Sequence, residues 1–180
     1  MKQGMWTGLL FVLAAAVGHA QRTDNASTAA QTATWKRLVT AKLVAVTSMP
    51  NGLDRWLIED LRAWGKYRVT ADPEGVDLVI RGYNPEKEPQ FKMHRNIPQP
   101  KREKHEPPPV LSIVVIDWVS DEALWQAEIR NKKPKEGEDT PAGPLTQINA
   151  RGLKPQQLAD ELTSRLRRYV SGLEARGSKP

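Results

Sequence analysis

Cysteine is absent from this chain of 180 residues. Its absence excludes disulfides, thiolate catalysis and cysteine-based zinc sites. It also excludes the lipid tether of bacterial lipoproteins, which is carried on a cysteine directly behind the signal peptide. Histidine is nearly as scarce, and beyond the first twenty residues only His94 and His105 remain, both in a proline-rich tract. A general acid or base of this kind must be held by packing and by a hydrogen-bonded partner, and such a tract supplies neither. A dedicated metal site needs three or four fixed ligands. The motifs G-x-S-x-G, G-x-G-x-x-G and the P-loop are missing as well. No catalytic, cofactor-binding or metal-binding residue is therefore expected, and no cofactor.

One-sided charge is lacking too. Lys and Arg number 27 against 21 Asp and Glu, a net charge of +6. The two signs are interleaved along the chain rather than gathered in one stripe. That excess favours solubility and a weak attraction to anionic surfaces. Nucleic-acid binding would want an unbalanced basic stripe with aromatics for stacking. The tract 84–109 holds six Lys/Arg, four Glu and one aromatic, Phe91, so nucleic acid is not an expected partner.

The N-terminus has the three parts of a secretory signal peptide. Lys2 supplies positive charge, Leu9–Val17 is an unbroken apolar run, and Gly18-His19-Ala20 places small residues before a cleavage point. The run is well short of the roughly 20 apolar residues that span a bilayer. Residues 1–20 are expected to be cleaved after Ala20, leaving a periplasmic or secreted protein. The glycosylation-like Asn25-Ala26-Ser27 is short enough to arise by chance.

Periodicity organises the rest. Residues 21–40 read as a flexible lead-in and 41–173 as a single α+β domain. Ala41–Thr47 reads as a strand. Leu53, Leu57, Leu61 and Trp64 stack on one face of a helix over 53–64, with Asn51 placed to cap its start and Gly65 to end it. Lys66–Thr70 and Asp77–Tyr83 read as strands around the turn Asp72-Pro73-Glu74-Gly75. Seven of the fourteen prolines fall in 84–109, which reads as a disordered insertion. Val110–Val119 is apolar on both faces, as expected of a central strand. Ser120-Asp121-Glu122 turns it into Ala123–Arg130, whose alternation predicts a half-exposed partner strand. Residues 131–152 read as a polar loop. Residues 155–172 form an amphipathic helix opened by Pro155, with Asp160 and Glu161 early and Arg165, Arg167 and Arg168 late, as its dipole favours. Residues 174–180 read as a disordered tail. The expected architecture is a mixed sheet of about five strands with two helices packed on one face.

Few side chains invite a functional reading. Asp72 and Asp77 flank a turn, and Asp121 and Glu122 occupy another, where acidic residues are common for local reasons. Asp117 differs, because it lies within an otherwise apolar strand. Burial raises a carboxylate pKa unless the group is paired or hydrogen-bonded. Asp117 with Asp121 or Glu122 is thus the one carboxylate set open to use by an enzyme, although a strand end meeting water explains it too. Of the tryptophans, Trp64, Trp118 and Trp125 read as core, while Trp35 and Trp56 are candidates for exposure.

The segment Asp72–Gly82 (DPEGVDLVIRG) resembles a strand found in uncharacterised bacterial envelope and lipoprotein-like domain families. In these a helix running into a strand like Trp64–Val69 (WGKYRV) comes just before. Val114–Asp117 through Leu124–Glu128 is similar to their later hairpin, and the likeness is more remote to curli-secretion-channel and TolB amino-terminal-type domains. It spans residues 41–82 and 110–173, and its motifs are structural, so no functional residue is carried over. The resemblance implies an envelope accessory or assembly role without enzymatic activity. The signal peptide, the missing catalytic set and the proline-rich insertion together point to another envelope protein as the partner. A carboxylate-dependent periplasmic hydrolase and a basic module binding an anionic polymer are the alternatives.

Overall fold

The structure, a computed structural model, describes residues 36–85, 109–131 and 143–177. The expected signal peptide, Trp35, His94, His105, Phe91 and nearly all of the proline-rich insertion lie outside the described residues. Within them, a helical turn at 36–40 leads to β1 (Leu43–Val46), and a short turn at Pro50–Gly52 opens α1 (Leu53–Trp64). There follow β2 (Arg68–Thr70), β3 (Leu78–Tyr83), β4 (Leu111–Asp117), β5 (Ala123–Arg130), β6 (Leu145–Asn149) and α2 (Pro155–Gly177). The strands form one mixed sheet in the order β2-β1-β3-β4-β5-β6. β1 is parallel to β2 and β3, β4 is antiparallel to β3 and β5, and β6 is parallel to β5. This is the expected α+β class.

One face of the sheet carries the main core. Val44, Val46, Leu78, Ile80, Ile113, Val115, Trp125, Ala127 and Ile129 alternate onto that face and pack with Leu53, Leu57 and Leu61 of α1 and Leu162, Leu166 and Val170 of α2. Period-two strands meet helices with residues spaced by three and four, so both helices share one side. Full burial of each such side chain contributes on the order of 1.5–3 kcal/mol. The two helices run parallel: Arg167 of α2 sits 5.5 Å over the Trp64 ring, and Lys66, just past α1, reaches Glu174 at 2.7 Å. Gly65 ends α1 at φ 74, the left-handed region in which glycine is unstrained.

Several expectations need correction. The sheet has six strands, because β6 lies inside the stretch read as a polar loop and gains its place by pairing its backbone with β5. The residues expected to form the lead-in become helical at 36–40, where Leu38 is buried in the core. Asn51 does not cap α1; it adopts φ 59 inside the preceding turn, and Gly52 holds the cap position with no side-chain bond. α2 continues past Gly172 to Gly177, drawn on by the burial of Leu173, so 174–177 are helical and only 178–180 lie outside the described residues. Arg165, Arg167 and Arg168 consequently sit in mid-helix, and Arg176 occupies the last turn.

The predicted half-exposure of β5 also fails, since all eight of its residues are buried. Its polar positions Gln126, Glu128 and Arg130 stand on the face opposite the helices, beside Val114 and Ser112 of β4. Arg130 Nη2 donates to Glu128 Oε2 at 2.6 Å, so this buried charge is neutralised in place.

Candidate contact surface at the β4–β5 turn

Antiparallel pairing brings the end of β4 against the start of β3, with Asp117 opposite Leu78. There the chain turns through Trp118-Val119-Ser120-Asp121-Glu122. Asp117 is itself buried, and one oxygen, Oδ1, accepts from four donors. These are Arg37 Nη1 at 2.7 Å, the Val119 N–H at 3.0 Å, the Ser120 N–H at 2.8 Å and the Ser120 hydroxyl at 3.1 Å. The backbone closes around the same residue. The Asp117 N–H donates to the Glu122 carbonyl and the Asp121 N–H to the Asp117 carbonyl, both at 2.9 Å. Asp121 takes the left-handed conformation, φ 55, which short acidic residues tolerate better than most.

The turn is also tied sideways. The Trp118 N–H donates to the Asp77 carbonyl at 3.0 Å, while the Asp77 carboxylate accepts the Lys42 N–H at 2.7 Å and the Leu43 N–H at 2.9 Å. Asp77 thus closes the entry of β1, and Asp117 closes the exit of β4. Arg37 joins the helical turn at 36–40 to the same end of the sheet.

Electrostatics follow this geometry. Burial alone works to raise the Asp117 pKa. Hydrogen bonds from the Ser120 backbone, from Arg37 and from the Ser120 hydroxyl, with the Arg37 charge, outweigh it and hold the carboxyl below its usual range. The hydrogen bond and charge of Asp117 in turn hold the Arg37 guanidinium above its ordinary value. The structure therefore brings Asp117, Asp121 and Glu122 into one turn, as the sequence suggested, but in a form unsuited to proton abstraction. A general base needs a pKa near the working pH and a free lone pair facing substrate. Asp117 has been tuned the other way, and Asp121 and Glu122 point into water. Among the described residues no group of three or more His, Asp or Glu could hold a metal ion.

What the turn offers instead is apolar area. Trp118 is 48% exposed and Val119 83%, and the three residues after them are exposed as well. Trp118 was expected in the core; it lies outside because β4 ends at Asp117, one residue earlier than a buried indole would need. The other tryptophans divide differently from expectation. Trp125 is buried as foreseen, whereas Trp56 and Trp64 are both half-buried at the margin of the core, Trp64 with its edge to Tyr67. The signal available in the sequence was Asp117 itself: an Asp followed two and three residues on by N–H groups it can bond starts a turn rather than extending a strand.

Among the described residues no helix is long and apolar enough to cross a membrane. No family model matches the chain, and comparison with curated proteins and with solved structures likewise finds no match.

Proposed function

We propose that this chain is an exported envelope protein that works as a non-catalytic binding or assembly accessory, and that the β4–β5 turn is its contact point with another protein. The observation that carries the reading is the exposed pair Trp118–Val119 on a turn held by Asp117. Tryptophan is the side chain most often found at the energetic centre of protein interfaces. A contact residue that is already ordered loses little freedom on binding, and here the hydrogen bonds to Asp117 and Asp77 have done that ordering in advance. Two residues make an anchor rather than a whole interface, which for a stable complex covers about 1,200–2,000 Å². Asp121 and Glu122 flank the anchor, so the complementary surface is an apolar pocket with a basic rim. The signal-peptide-like segment 1–20 supports the envelope as the compartment.

A photo-crosslinking side chain placed at 118, and separately at the exposed Glu74 as a control, tests the contact in cells. Position 118 should yield a discrete protein adduct in the envelope fraction that position 74 does not, and the recovered chain should begin at Gln21. Identical adduct patterns at the two positions overturn the contact surface, and a chain retaining Met1 in the cytosol overturns the compartment.

A further inference from the structure

We propose that Asp60 of α1 and Asp160 of α2 form an acid-strengthened clasp, in which a protonated Asp60 donates to the Asp160 carboxyl and draws the parallel helices together as the pH falls. The inference is independent of the function proposed above. It starts from an imbalance at the helix–helix contact. Asp60 Oδ2 is closed off from water and no donor reaches it. Buried polar atoms are nearly always hydrogen-bonded, so each exception asks for a cause. The group beside it is the carboxyl of Asp160. Two ionised carboxylates cannot bond one another, since both only accept; add one proton and the pair becomes a donor and an acceptor.

The surroundings reinforce the imbalance. On α1, Glu59 adds a second negative charge near Asp60, and Arg55, 3.6 Å from Glu59, is directed to that residue. On α2 the cations lie further along. Arg167 is engaged over the Trp64 ring, and Lys66, past the end of α1, is engaged with Glu174. From the sheet, β2 contributes Arg68, which pairs with Leu43 on the face away from the helices, and the turn Pro50–Gly52 contributes no charge. Burial first, and then the charge and hydrogen bond of Asp160 with the charge of Glu59, push the Asp60 carboxyl above its usual range.

The sign follows directly. A carboxyl whose folded pKa is raised stabilises the fold below its unfolded value of 3.8, and that contribution is lost as the pH rises through the folded pKa. The contribution of Asp60 to the helix contact is therefore absent once the pH has risen above its folded pKa.

Thermal unfolding of the full chain and of Asp60→Asn across pH tests this. At neutral pH Asp60→Asn should melt higher than the parent, and the gap should close as the pH falls below 3.8. Asp160→Asn, which brings an amide donor to Asp60, should also raise the neutral melting point. The double variant should gain less than the two single gains combined, because one contact is being relieved twice. Carbon-13 NMR titration of Asp60 reads the same event without unfolding: a transition above the ordinary carboxylate range supports the clasp. A gap that stays constant with pH, fully additive gains, or an ordinary Asp60 titration would overturn it.

Discussion

Replacing Asp117 with alanine removes a single acceptor that serves four donors, and the cost can be apportioned from their surroundings. The Arg37 side chain is 44% exposed, so its ion pair sits in largely aqueous dielectric and contributes little. The Val119 and Ser120 N–H groups hold the turn, and a hydrogen bond to a charged acceptor contributes about 1.5–3 kcal/mol where water cannot substitute fully. Both residues are exposed, which places each bond at the lower end and the expected loss for Asp117→Ala at about 3 kcal/mol in all. Arg37→Ala should cost clearly less than Asp117→Ala. Urea unfolding followed by circular dichroism measures both, with an unchanged denaturant slope as the sign that only stability has moved. The pH dependence adds a second reading. A carboxyl held below its unfolded pKa contributes stability that is present above 3.8 and is lost as the pH falls through the depressed folded value. The alanine variant should therefore lose less stability on acidification than the parent. Equal losses for Arg37→Ala and Asp117→Ala would refute the reasoning, because they would make the ion pair, rather than the turn, the principal contribution of Asp117.

Three other perturbations follow from the packing. A methyl group at Gly82 would lie 3.1 Å from Met49 Cγ and 3.2 Å from Ile113 Cδ1, so Gly82→Ala should cost about 1–3 kcal/mol, with Met49→Ala partly rescuing it in the double variant; full additivity would rule the clash out. Arg130→Ala leaves the Glu128 carboxylate buried without its guanidinium and should cost about 3–5 kcal/mol by chemical denaturation, whereas a loss under 1 kcal/mol would show that the pair is not shielded from water. Trp118→Ala should leave stability within about 0.5 kcal/mol, while Trp125→Ala should cost about 3–5 kcal/mol, and comparable losses would place both indoles in the core.

The parts of this fold legible in the sequence are those in which side-chain period and exposure coincide. The Leu53, Leu57, Leu61 stripe of α1 is one such case. The Asp72–Gly75 turn is another: the Glu74 N–H bonds Asp72 Oδ1 at 2.9 Å and Gly75 takes φ 70. Period reports which face a residue points to, not whether that face meets water. β5 alternates as read, yet Glu128 is buried because Arg130 compensates it. β6 was invisible because only Thr146 and Ile148 turn to the core side, and the rest of its stability comes from backbone pairing that leaves no trace in side-chain pattern. The helix expected over 155–172 runs on to Gly177, because a glycine inside it at 172 costs about 1 kcal/mol, less than Leu173 gains by burial. Of the candidate surface, the position of the turn was legible. The exposure of Trp118 was not, since it depended on the residue at which β4 ends.

The sheet tapers. Its longest strands, β4 and β5 with seven and eight residues, are interior, and its rims are β2 with three and β6 with five. Short rims give neighbouring molecules little backbone to zip onto. Without β6, the outer margin of β5 from Gln126 to Arg130 would be bare. Covering that margin falls to five unassuming residues.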